Sequence, residues 1–143
     1  MLQINFPEHE YKIKKQNDST YIFDEIRKKW LELTPEEWVR QNFVQFLIQK
    51  QKFPSACIAL EKLFKLGELK KRFDIVVYKN HIPWLLIECK KADIPLQESI
   101  LKQVLIYNQV LKTNILIITN GLQSFGVRVN EKGFSILDHF PEW

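Results

Sequence analysis

The spacing of hydrophobic and polar positions changes several times along the chain, and each change marks an element. Thr34-Pro35-Glu36-Glu37 has the form of a helix start: Thr34 as N-cap, Pro35 at the first helical position, and Glu37 three residues on, closing a capping box. Val39, Phe43, Phe46 and Leu47 then recur at helical spacing, which predicts a helix to about Lys50 with one buried face. Pro54 bars its continuation. From Ala56 the period is that of strands. Ala56–Phe64 reads as a strand, Gly67 as a turn, Lys71–Tyr78 as a second strand, Lys79–Pro83 as a turn and Trp84–Cys89 as a third strand, together an antiparallel meander. Pro95–Leu111 is apolar around much of its circumference and predicts a helix packed on more than one side. Ile115–Thr119 is an unbroken apolar run of the kind buried in a parallel pairing, ended by Asn120-Gly121. Ser124–Val129 and Gly133–Leu137 read as a closing hairpin. Upstream, Phe23–Trp30 reads as a short helix carrying Arg27, Lys28 and Lys29. Residues 1–21 read as a loosely attached arm, or as an edge strand built on Tyr11 and Ile13. The order α-β-β-β-α-β-β, with one crossover helix, predicts an α/β fold: a mixed β-sheet flanked by helices, with residues 22–143 as one domain.

Composition narrows the class. With 143 residues, 45% hydrophobic and 27% charged, the chain is long enough for one core and too apolar to be disordered. No apolar stretch reaches membrane-spanning length, and the N-terminus lacks a basic region followed by an apolar core, so a cytoplasmic protein is expected. The two cysteines, Cys57 and Cys89, form no metal-type spacing and point to a reducing compartment. The net charge of +4 permits an anionic partner without demanding one.

The chemistry concentrates on the predicted meander. Asp74 lies inside the apolar run Arg72-Phe73-Asp74-Ile75-Val76-Val77-Tyr78, and Glu88-Cys89-Lys90 closes the next. Charges in such runs are costly unless paired or bound to metal. Residues two apart on a strand share a face, so Glu88 and Lys90 project together, and a hairpin register sets Asp74 opposite them. Two carboxylates on one face suit a hard cation such as Mg²⁺, which takes one or two carboxylates and keeps its waters. A neighbouring ammonium stabilises negative charge developing at phosphorus. The residues also admit a plain salt-bridge ladder, with Asp74 on Arg72 or Lys90 and Glu88 on Lys90.

Asp74 and Glu88-x-Lys90 on successive strands resemble the PD-(D/E)xK nuclease superfamily. Together with Thr34-Pro35-Glu36-Glu37-Trp38-Val39-Arg40-Gln41 and Lys71–Tyr78, they are similar to the N-terminal nuclease domain of type I restriction enzyme R subunits, in its small stand-alone form, over residues 22 to 138. The resemblance implies a restriction-endonuclease-like sheet and metal-dependent DNA cleavage with Mg²⁺ (or Mn²⁺). Asp74 and Glu88 would hold the metal, and Lys90 would assist the water or stabilise charge. It also implies a metal-binding glutamate on the first helix. Glu36 shares a face with Phe43 and is assigned to that role, while Glu37 points away and has its capping role; both remain open. A Gln-x-x-x-Tyr motif on the following helix is matched by Gln103 and Tyr107, which share a face with Leu96, Ile100, Val104 and Leu111. They are expected to point to the sheet, in support of the site or in a structural hydrogen bond. Lys91-Ala92-Asp93 departs from the Ala-Pro that relatives carry there.

Lys70, Lys71, Arg72 and Lys91 are expected to meet DNA phosphates, which position a duplex without reading its sequence. Cys89 should face the opposite side as core, with its carbonyl available to a metal. The histidines (His9, His81, His139) have no metal-pair spacing. No Gly-x-x-x-x-Gly-Lys-Ser/Thr loop is present, so this chain carries no ATP-driven motor of that type. Double-strand cleavage would need a homodimer or a larger protein partner. The competing reading is a non-catalytic module on the same fold, binding nucleic acid or a partner.

Overall fold

The computed structural model describes residues 1–143, the side chain of Leu66 excepted. Three short strands come first: β1 (Ile13–Gln16), β2 (Ser19–Asp24) and β3 (Lys29–Glu32), an antiparallel sheet of their own. The helix expected at Phe23–Trp30 is therefore the end of β2, a turn and the start of β3. Asp24 makes that turn. Its carboxylate accepts the backbone N–H groups of Ile26 and Arg27, and Lys28 follows in left-handed backbone at φ 56°. Phe23 and Trp30 then face each other across the strands, their ring centroids 5.4 Å apart. Of the two readings for residues 1–21, an edge strand is present, built on Ile13 and not on Tyr11, and its sheet runs across the expected boundary at residue 21. The chain start is not loose. The Leu2 N–H donates to the Ser124 carbonyl at 2.8 Å, and the Leu2 side chain packs where only Gly126 leaves room.

The helix α1 (Pro35–Gln45) begins as expected, with Thr34 Oγ1 accepting from the Glu37 N–H at 3.0 Å. Only half of the capping box forms, because the Glu37 carboxylate goes to Arg27 and Arg40. A π-helical turn, Phe46–Lys50, carries the helix to its predicted end. The main sheet comprises β4 (Ile58–Leu66), β5 (Leu69–Lys79), β6 (Ile82–Cys89), β7 (Ile115–Thr119), β8 (Ser124–Asn130) and β9 (Gly133–Ile136), hydrogen-bonded in that order. All pairs are antiparallel except β6 with β7, which α2 (Glu98–Leu111) joins as a crossover. Helix α2 starts three residues later than Pro95. Three strands follow it, at the three runs read from the sequence and one more than the order α-β-β-β-α-β-β counts, and three precede α1.

Each helix covers one face. Phe43 of α1 and Leu47 of the π-helical turn pack on Ile75, Val77, Leu85, Ile87 and Ile117, while Leu101, Val104 and Leu111 of α2 pack with Phe73, Val76, Leu86 and Leu116. Burial on both faces is why β7 reads as a continuous apolar run. One irregularity matters for the site. Leu60 pairs with Ile75 and Lys62 with Phe73, yet the pair between them is missing, and Glu61 stands there in left-handed backbone at φ 53°. Phe73 and Ile75, two apart, enter opposite cores. The strand thus rotates through Asp74. Among the described residues, no helix is long and apolar enough to cross a membrane.

Candidate active site

Ile75 and Ile87 form the last β5–β6 pair, so Asp74 and Glu88 are the next residues at the opening of that ladder. Both are nearly fully buried. Asp74 Oδ2 accepts the Cys89 N–H at 2.8 Å, and Oδ1 accepts from Arg40 Nη2 at 2.7 Å. Asp74 therefore takes its cation from α1, not from Arg72 or Lys90 as the ladder reading expected. Arg72 is exposed on a separate cleft with Arg27, Lys29 and Glu61. Cys89 turns its side chain into the α1-side core, as expected, and burial raises its thiol well above the ordinary value.

Glu88 faces the α2 side. Its Oε1 lies 3.5 Å from Lys71 Nζ and 3.8 Å from Lys90 Nζ. Its Oε2 is buried with no hydrogen-bond partner among the described residues. Burial, and then the charge of Asp74, push the Glu88 carboxyl up to about 7 against the pull of the two lysines. Lys71, Phe73, Glu88, Lys90, Gln103 and Tyr107 line a narrow cleft, together with Ile100 and Val104. Gln103 and Tyr107 are thus brought to Glu88 and Lys90. Gln103 is exposed and Tyr107 half-buried, so they line the cleft wall rather than being buried against the sheet. Lys70 and Lys91 lie exposed at the periphery, and Lys91 sits 3.6 Å from Asp93.

The two helix glutamates exchange their expected places. The Glu36 side chain is 46% exposed and 3.4 Å from Arg40. Glu37 is buried, 2.9 Å from both Arg40 and Arg27. The cause is Arg40, which shares the inner face of α1 with them, at three and four residues' separation. Its Nη2 also reaches Glu61 at 2.7 Å. Burial works against this guanidinium, but Asp74, Glu37 and Glu61 outweigh it and raise its pKa. Burial also raises the Glu61 carboxyl, which faces that of Asp74. Arg40 and Glu61 are site residues that the D…ExK pattern does not name. A cation on the apolar face of a helix was a readable signal for Arg40; the left-handed backbone that aims Glu61 had none.

Contacts fall into two sets: Asp24, Glu36, Glu37, Glu61 and Asp74 on Arg27 and Arg40, and Glu88 on Lys71 and Lys90. Fully ionised, the first set is short of positive charge and the second is not, yet Glu88 Oε2 in the second is buried and unpaired among the described residues. Among the described residues, no three His, Cys, Asp or Glu side chains converge as a ready metal cage. The trio Asp74, Glu88 and Glu36 is not preassembled, because Arg40 stands between Glu36 and Asp74. The donor set fits a cation that takes two carboxylates and fills its other positions with water.

Comparison with known proteins speaks to the fold and the family. Among curated proteins, no sequence matches the chain. Among solved structures, the crystal structure of a "putative nuclease belonging to DUF820" from Anabaena variabilis ATCC 29413 superposes with a TM-score of 0.50 at 15% identity, covering 87% of this chain and 80% of that one. At that identity the likeness speaks for the fold: a mixed sheet flanked by helices. The family described as Type I restriction enzyme R protein N terminus (HSDR_N) matches residues 35–141, which takes in α1, Asp74, Glu88-x-Lys90 and Gln103-x-x-x-Tyr107, and the chain belongs to that family.

Proposed function

We propose that this chain is a divalent-metal-dependent nuclease domain that hydrolyses DNA phosphodiester bonds, with Asp74, Glu88 and Lys90 as its catalytic residues. The observation that carries the reading is the unpaired, buried Oε2 of Glu88, whose carboxyl feels the charge of Asp74, itself one of four carboxylates sharing Arg40. Asp74 and Glu88 would hold Mg²⁺ or Mn²⁺, with the Cys89 carbonyl as a further oxygen donor; Glu36 would join them only if Arg40 left its place between Glu36 and Asp74. When bound, the ion supplies Lewis-acid stabilisation at the phosphoryl group and lowers the pKa of water. The rest falls to side chains. Lys90 places its ammonium against the negative charge that builds on phosphorus. A water oxygen forms the new P–O bond as one ester P–O bond breaks. Water loses a proton to solvent, and the leaving alkoxide gains one. Gln103 and Tyr107 face the DNA backbone from the cleft wall, and Lys70 and Lys91 attract phosphates from the rim. The free thiols of Cys57 and Cys89 suit a cytoplasmic location.

The test is plasmid cleavage with Mn²⁺ beside calorimetric Mn²⁺ titration, for wild type, Asp74→Ala, Lys90→Ala and the Asp74→Ala/Glu88→Ala pair. Cleavage by wild type, lost in each variant, with Mn²⁺ uptake lost in the pair, supports the assignment; cleavage at the wild-type rate by Asp74→Ala or Lys90→Ala refutes it. One observation favours a second reading. Arg40 already pairs Asp74, as it would in a domain that binds DNA or a partner without cutting. That module would take up no Mn²⁺ and would keep its DNA affinity in the double variant.

A further inference from the structure

Lys71 stands outside the D…ExK pattern, yet it lies closer to Glu88 than Lys90 does, 3.5 Å against 3.8 Å, on the same oxygen. Neither distance reaches the 2.7–2.9 Å of a full charge-assisted bond, so Glu88 saturates neither ammonium. The two lysines are alike in access, 28% and 29% exposed. Both line the cleft with Gln103 and Tyr107, whose free space of about 10 Å³ suits one water and no nucleotide. A phosphodiester therefore meets this site at its mouth, where the two ammoniums are. Lys71 differs from an ordinary surface lysine in one further respect: its Nζ lies 5.2 Å from the centroid of the Tyr107 ring, within cation–π range. Glu88 and the ring together confine a side chain that would otherwise sweep through solvent.

We propose that Lys71 is a second catalytic lysine, contacting a non-bridging oxygen of the scissile phosphate from the side opposite Lys90, and that Tyr107 is a positioning residue acting through the face of its ring. The role rests on the nuclease reading above. Lys71 gives up no proton and forms no covalent bond; it contributes a fixed charge where negative charge develops. Tyr107 is then needed as an aromatic, not as a phenol.

Steady-state cleavage of a linear duplex with Mn²⁺ tests this in wild type, Lys71→Met, Tyr107→Leu and Tyr107→Phe. Removing one preorganised donor lowers kcat by about a hundredfold or more, so Lys71→Met should lose about that much while KM moves less than about threefold. Tyr107→Leu should lose about fivefold, the worth of an exposed cation–π contact, and Tyr107→Phe should recover it. A Lys71→Met protein with raised KM, a shallower salt dependence and unchanged kcat makes Lys71 a backbone clamp and overturns the proposal. Equal losses in Tyr107→Leu and Tyr107→Phe overturn the ring's role. Wild type that fails to cut sinks the nuclease reading instead, and the phosphate contact is then judged by NMR. Lysines are ¹³C-methylated, which keeps their charge, and the Lys71 signal is identified by its loss in Lys71→Arg. A signal that shifts when inorganic phosphate is added, and shifts less in Tyr107→Leu, sustains the contact; an unmoved signal overturns it.

Discussion

Glu88→Gln should make the folded protein more stable at pH 8 and less stable, by about 1 kcal/mol, at pH 4. The folded chain holds the Glu88 proton up to about 7, against an ordinary value of 4.5. Below 4.5 the carboxyl is neutral in both folded and unfolded chains and carries no penalty. Between 4.5 and 7 the folded state binds more protons, so stability falls as pH rises; above 7 the full cost of a buried carboxylate is present. That interval is worth about 3 kcal/mol at 1.36 kcal/mol per pKa unit. The amide keeps the shape but cannot ionise. It does bring an N–H₂ group to a place where Oε2 already lacks a partner, which costs about 1 kcal/mol or more at every pH. A net gain of about 2 kcal/mol should remain at pH 8. An unfolding entropy of about 2.1 cal/mol/K per residue converts this to about 7 °C in Tm for a chain of this size. Thermal melts of both proteins from pH 4 to pH 8, followed by circular dichroism without divalent metal, measure it. Parallel Tm–pH curves would show that Glu88 ionises without cost, and the argument for an electrostatically strained site would fall with them.

Two further changes probe the frame around the site. Arg40→Leu leaves Asp74, Glu37 and Glu61 buried or half-buried without their common cation; breaking such a network costs about 3–5 kcal/mol, so Tm should drop by about 10 °C or more in the same melts, and a drop below about 3 °C would mean that the network is not held together by Arg40. Asn108 closes the α2–β7 turn, its side chain bonded to the N–H, carbonyl and hydroxyl of Thr113 at 3.1, 3.0 and 2.7 Å; Asn108→Ala should cost about 2–3 kcal/mol through unpaired buried polar groups, read as a lowered urea midpoint with an unchanged slope.

Much of this protein is written in local pattern. Thr34-Pro35 starts α1 because an N-cap hydroxyl and a proline at the first turn act within four residues. The apolar runs of β5, β6 and β7 declare strands buried on both faces, because a two-helix cover leaves them no solvent side. The pairing of Asp74 with Glu88-x-Lys90 follows from hairpin register, a property of adjacent strands. The first sheet was not legible in the same way. Arg27-Lys28-Lys29 between Phe23 and Trp30 imitates a helix face, and only the Asx turn at Asp24 and cross-strand pairing turn it into β2 and β3.

The sequence by itself therefore determined the fold class, the family and the three residues around which a site is built. Tertiary structure alone decided how those residues are wired. Arg40 reaches Asp74 across 34 positions of chain, Glu61 is aimed by a backbone angle that no residue type announces, and Lys71 meets Tyr107 across the gap between β5 and α2. The physical reason is range. Caps, periods and turns are interactions between near neighbours and leave a signature in residue order. The partners of a buried charge are set by which surfaces the folded layers bring together, and that depends on the whole chain at once.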